Sequence, residues 1–162
     1  MPPIKHDSNT DIFRGQLFLF VEGNPIAYAT SATMNITTEE SDVSNKMMSG
    51  GWKGSLPGQK SFTVSSESLL TQTEGQLSFY TLADMQIADK TVEFFMGEAK
   101  VSEQTNVGGV FEMDKTKKYY TGTLMITSLD LTSEVNSIAT CSVSLAGVGA
   151  LTPGVIEETP TT

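Results

Sequence analysis

Alternation between apolar and polar positions is the dominant pattern along this chain, and it predicts strands. The pattern is clearest near the C-terminus, where Ala139, Cys141, Val143 and Leu145 interleave with Thr140, Ser142 and Ser144. Successive side chains of an extended backbone point to opposite faces, so such a run describes a half-buried strand. Tyr120, Leu124 and Ile126, then Leu129 and Leu131, oppose Tyr119, Thr121, Thr123 and Thr127. With a turn over Glu134 to Ser137, these two segments predict a long antiparallel hairpin. Phe62 and Val64 alternate with Ser61, Thr63 and Ser65, and Ala32, Met34 and Ile36 with Thr33, Asn35 and Thr37. Over Thr91 to Gly97, Val92, Phe94 and Met96 alternate with Glu93 and Phe95. The run Gln16 to Val21 is apolar on both sides, which suits a strand covered on both faces. Glu22-Gly23-Asn24-Pro25 predicts a turn. A second strand leaves it at Pro25, where a missing N–H costs least.

Two segments break the alternation. Thr73 to Ala88 is the helix candidate: Thr73 and Gln76 have capping-box spacing. Leu77, Tyr80 and Ile87 fall along one side, with Phe79, Leu82 and Ala83 on an adjoining one. Ser41 to Lys60 carries Gly50, Gly51, Gly54, Gly58, Pro57, several serines and the chain's one Trp. Gly loses most backbone entropy on ordering and Pro removes a donor, so this composition predicts a loop. A loop of about twenty residues is uncommon in a compact domain unless it has a function. Trp52 either folds back over its own domain edge or anchors a contact with another chain, as Trp often does at interfaces. Its Gly-rich flanks favour the anchor. Met47 and Met48, adaptable apolar side chains on a polar loop, point the same way. Residues 98–117 read as a second polar connection. Residues 1–11 read as a flexible arm and 151–162 as a tail, leaving 12–150 as a single domain.

Hydrophobic residues make up 38% of the chain and charged ones 18%, which suits an all-β protein with wet faces. Ten basic against nineteen acidic residues leave a formal charge of −9. Such a surface repels a phosphate backbone, which argues against sequence-specific nucleic-acid binding. Cys141 is the single cysteine, so no intrachain disulfide can form. The N-terminal segment has no apolar signal core, and no apolar run approaches the ~18 residues of a membrane span, so assembly in a cytosol is expected. His6, the single histidine, lies in the polar arm, and Cys141 sits on an apolar strand face, where a thiol behaves as a small hydrophobe. Zinc-type clusters, a phosphate loop and a dinucleotide fingerprint are missing from the sequence. The adjacent pairs Glu39-Glu40 and Glu157-Glu158 would point to opposite faces of extended chain, unlike an acid/base pair. The expectation is no enzyme, no metal and no cofactor.

The run from Asp42 through Gly51-Trp52-Lys53 and Leu56-Pro57-Gly58 into Phe62-Thr63-Val64-Ser65 resembles the major tail (tail tube) proteins of long-tailed bacteriophages. The likeness is to the branch often labelled phage major tail protein 2. The opening Leu17-Phe18-Leu19-Phe20-Val21, with Gly23 and Ile26-Ala27, is similar as well, as is the order hairpin, long loop, strand, short helix, paired strands. The resemblance spans residues 12–150. It implies a mainly β fold, a β-sandwich or small β-barrel with one flanking helix (about 73–88) and a long loop (about 41–60). It implies a structural virion protein, polymerising with itself as hexameric rings stacked around a lumen that conducts DNA during ejection. Tape-measure and tail-terminator or initiator proteins would be partners, with DNA as non-sticking cargo, no membrane, and assembly in the host cytoplasm into the virion tail. The contact loop between subunits or rings would present Met47, Met48, Trp52, Lys53, Leu56 and Pro57. Strand-borne Glu93 and Asp130 are the candidate lumen-facing acids, since a negative wall would repel DNA. Two rivals stand beside this reading. The inner tube of a contractile injection system resembles the family in fold, and a neighbouring sheath gene would favour it. A carbohydrate-binding or adhesive β-sandwich would use Trp52, Tyr28, Tyr119 and Tyr120, and a glycan array would test it.

Overall fold

The computed structural model describes residues 2–13, 16–47 and 50–154. Its strands are β1 (Phe18–Val21), β2 (Asn24–Pro25), β3 (Ala29–Asp42), β4 (Ser55–Leu69), β5 (Thr91–Gly97), β6 (Ala99–Thr105), β7 (Gly108–Met113), β8 (Tyr119–Thr132) and β9 (Thr140–Pro153), with one helix, α1 (Phe79–Ile87). Seven strands form one antiparallel sheet in the order β2-β1-β5-β8-β9-β4-β3, and β6 pairs with β7 in a separate hairpin. The outermost strands β2 and β3 are not hydrogen-bonded to each other. The fold is therefore mainly β and sandwich-like, and the closed-barrel alternative is excluded.

Register explains the core. Val64 stands opposite Leu145, Leu145 opposite Ile126, and Leu124 opposite Val92. These residues, with Leu19, Val21, Phe62, Phe94 and Val143, share one face of the sheet, and Leu82 of α1 packs into it. Fully burying each such side chain is worth roughly 1.5–3 kcal/mol. Ser66 and Ser68 point to this face too and are satisfied: the Ser66 hydroxyl donates to the Ser31 carbonyl at 2.8 Å, and Ser68 Oγ lies 2.9 Å from Cys141 Sγ.

The two-sided burial expected of the Phe-rich first strand has a specific cause. On the face away from the core, Phe20 meets Phe95 edge-on at 5.5 Å, Phe95 stacks on Tyr119 at 4.7 Å, and Phe111 of the β6–β7 hairpin covers Phe18 at 5.3 Å. The polar connection expected over 98–117 is thus largely this hairpin, which β7 brings against β1 through an aromatic contact.

Other expectations need correction. The helix is shorter than 73–88. Gly75 adopts φ 84°, a left-handed conformation incompatible with the helix, and the Thr73 N–H is taken by Thr71 Oγ1, so no capping box forms. Ser78 is the N-cap, without a side-chain bond. Leu82 is buried and Phe79 and Ala83 partly so, whereas Tyr80 and Ile87 face solvent. The second strand does not run on from Pro25, because Tyr28 takes φ 52° and β3 starts afresh at Ala29. The C-terminal tail begins later than 151: Leu151 to Pro153 belong to β9, and the Gly154 N–H donates to the Tyr119 carbonyl at 2.7 Å. The expected turn over Glu134 to Ser137 is present, with the Ser137 N–H on the Glu134 carbonyl.

Candidate assembly surfaces

Part of the loop expected over 41–60 is strand: Ser41 and Asp42 end β3, and Ser55, Leu56, Pro57 and Gly58 lie within β4. The two strands pair from Ala29 opposite Ser68 to Asp42 opposite Ser55, but β4 pairs with β9 only over Thr63–Leu69. Beyond Phe62, β3 and β4 leave the sheet as a two-stranded arm, about 20–25 Å long at ~3.4 Å per residue. The fork is marked by Gly147 of β9, where any Cβ would overlap the Phe62 ring. Pro57 is tolerated in the arm because it sits beside a register shift between Thr38 and Glu40.

Side chains acting on backbone shape the tip. The Asp42 carboxylate accepts the Ser44 N–H at 2.8 Å, and Asn45 Oδ1 accepts the Met47 N–H at 2.9 Å while Asn45 Nδ2 donates to the Val43 carbonyl. The Ser44 backbone N–H, then its hydroxyl, hold the Asp42 carboxyl below its ordinary value. Val43 and Gly54 close the base of the loop through a 3.0 Å backbone bond, and Lys53 Nζ meets Glu40 Oε1 at 3.0 Å. An ion pair this exposed contributes little stability. Trp52 does not fold back over the domain: it is 92% exposed, as is Met47, and Leu56 is 58% exposed. Met48 lies outside the described residues, as do Glu157 and Glu158.

The second surface is the sheet face opposite the core. Glu93 and Asp130 both lie on it, Glu93 opposite Thr123 and Asp130 opposite Ser142. Register adds an acid that sequence reasoning did not single out: Ser142 also pairs with Glu67, so Glu67 and Asp130 flank it, roughly 10 Å apart across two strand spacings. The next rows read Ser128-Ser144-Ser65-Thr33 and Met125-Ala146-Thr63-Asn35. These rows carry no Lys or Arg. The signal for Glu67 was its place in the polar phase of the Ser61, Thr63, Ser65 alternation.

The third surface is an unpaired edge. Among the described residues β3 is hydrogen-bonded to β4 alone, which leaves its outer side free over fourteen residues.

Residues suggestive of chemistry stay apart. His6 lies in an exposed N-terminal segment and Cys141 is buried, and among the described residues no group of three His, Cys, Asp or Glu could hold a metal. No helix among the described residues is long and apolar enough to cross a membrane.

A family model described as phage tail tube protein matches residues 22–153. Among solved structures, the tail of an empty gene transfer agent particle, computed with helical refinement and C6 symmetry, is 21% identical over 80% of this chain and 84% of that chain, with a TM-score of 0.60. The SPP1 tail tube is 12% identical over 90% of this chain and 81% of that one, at TM-score 0.57. A sheath/tube terminator of the extracellular contractile injection system PVC is 14% identical over 92% and 100%, also at 0.57. At such identities the likeness is one of fold. No curated protein sequence matches the chain.

Proposed function

The chain belongs to the phage tail tube protein family, and from that premise we propose that it is the repeating subunit of a tail tube, assembled as hexameric rings stacked around a lumen that conducts DNA. Membership makes it a structural protein of the virion tail and not an enzyme. The observation that carries the ring is the fourteen-residue free edge of β3 on an open sheet. An exposed strand edge is a template for pairing with another chain, and pairing around a closed ring leaves no edge exposed. The ring size of six takes its support from the C6 symmetry of the gene transfer agent tail. The arm, ending in Trp52 and Met47, reaches beyond the sheet to neighbouring subunits or to the next ring.

The wet face then lines the lumen. Serine, threonine and the carboxylates of Glu67, Glu93 and Asp130 offer sliding DNA no cation to bind. Ring closure by rotation limits the ring, but head-to-tail stacking has no intrinsic end, so tube length is set by tape-measure and terminator partners. Native mass spectrometry of the assembled protein tests this reading: a ring of six copies is expected, and a ladder without a preferred stoichiometry would overturn it. The fold shared with a contractile-system terminator supports a second reading, an injection-system inner tube, which a sheath gene beside this one would favour.

A further inference from the structure

We infer that Trp52 of one copy seats in a groove beneath the β6–β7 hairpin of the next, an assignment that rests on the tail-tube reading and names the partner surface of its arm. The groove, about 850 Å³, lies between the hairpin, the Pro25–Tyr28 turn and the segment leading to α1. Its walls present Phe18, Tyr28, Val101, Val107 and Phe111, and Val107 at the hairpin tip is 92% exposed. Apolar surface of this kind, uncovered in the monomer, marks an interaction site.

Two observations select the occupant. The groove is also lined by Gln76, whose Oε1 is buried without a hydrogen-bond partner among the described residues. A buried orphan acceptor is costly and calls for a donor. Indole N–H is donor-only, so Trp52 brings together a large apolar ring and one donor, which reaches this oxygen once the Gln76 side chain turns into the groove. Outside the groove, Met47, Val135, Ile87 and Ile138, the next most exposed large apolar side chains, have no donor to give. Charge agrees with this choice. The tip between Val43 and Gly54 carries Lys46 and Lys53 and no acid, whereas among the described residues the one charged side chain lining the groove is Glu98.

Topology makes the contact one between copies. The groove is lined by Ala29 at the start of β3, whereas the tip follows Asp42 at the other end of that strand, roughly 40 Å away at ~3.4 Å per residue. Two different surfaces at opposite ends give a head-to-tail contact, which propagates.

Disulfide capture between full-length copies tests the inference. Gly51 is exposed with no atom near a built Cβ, so Gly51→Cys leaves Trp52 in place, and the natural Cys141 is buried. This chain is mixed under mild oxidant with Val107→Cys or, as control, with Ile138→Cys, which is exposed in the β8–β9 turn. The Val107→Cys pair should cross-link at least about tenfold faster, because docking raises the local thiol concentration. Adding Trp52→Ala to the Gly51→Cys chain should return the rate to that of the control. Equal rates for both partners would overturn the groove assignment, and hollow tubes from the unmodified chain would then leave the tail-tube reading standing. Selective cross-linking without tubes would support the groove and count against that reading.

Discussion

Replacing Trp52 with Ala separates what the tip does for the fold from what it does for assembly. The indole is 92% exposed, and it makes no hydrogen bond among the described residues. Surface substitutions of this kind usually stay within about 0.5 kcal/mol, so the melting temperature of the monomer should hold. The same exposure sets the gain open to assembly. A fully covered Trp buries roughly 150–250 Å², which at ~25 cal/mol/Å² has an upper bound of about 4–6 kcal/mol. Incomplete burial and ordering costs reduce this to the range of about 2–4 kcal/mol found for interface hot spots. At ~1.4 kcal/mol per decade, each contact should weaken by about 30- to 700-fold. The assay is sedimentation across a dilution series, with thermal unfolding of the unassembled protein alongside. A variant that sediments from the same concentration as the parent would refute the anchoring role. A large drop in melting temperature would refute the claim that the indole is free of its own domain.

Gly147→Val drives a side chain into the Phe62 ring at the fork of β4 and β9; overpacking of this type costs about 1–3 kcal/mol, and an unchanged urea midpoint would contradict the packing described. The carboxyl of Asp42 is depressed in the folded chain by its bonds from Ser44, so its contribution is present above the ordinary value of 3.8 and lost as pH falls through the lowered one. The protection of the Ser44 amide, its exchange relative to the intrinsic rate at the same pH, should therefore fall in acid below that value, and Asp42→Asn should abolish this step; protection unchanged down to strong acid would contradict it. Changing both Ser65 and Ser144 to Lys places cations on one row of the wet face. Assembled tubes of this variant should retain duplex DNA with a salt dependence that grows by about 0.9 per phosphate contact, whereas parent tubes should not; equal retention by both would remove that face from the lumen.

Much of the sheet could be read from local pattern because its strands are half-buried. The buried positions of β4 and β9 follow strict alternation, and the doubly apolar β1 announced a cover on both faces, which β5 shares through Phe95. Features decided by a distant partner could not be read locally. Leu56-Pro57-Gly58 has the composition of a loop, yet these residues are strand because Ser41 and Glu40 pair with Leu56 and Pro57 across the arm. Thr73 and Gln76 spell a capping box, yet Gly75 between them turns left-handed and delays the helix to Phe79. The β6–β7 hairpin, exposed almost throughout, shows little alternation, and its attachment depends on Phe111 meeting Phe18. The same distinction holds for the candidate assembly surfaces. An isolated Trp among glycines identified the tip, whereas the row joining Glu67 to Asp130 needs the register of three strands. The orphan oxygen of Gln76 needs the packing around it.

The central claim is that this chain builds a tube from copies of itself. Electron microscopy of the purified protein, beside size-exclusion chromatography over a range of concentrations, tests it most directly. Rings and hollow tubes of uniform diameter are expected. A compact monomer that persists at the highest attainable concentration would contradict the claim.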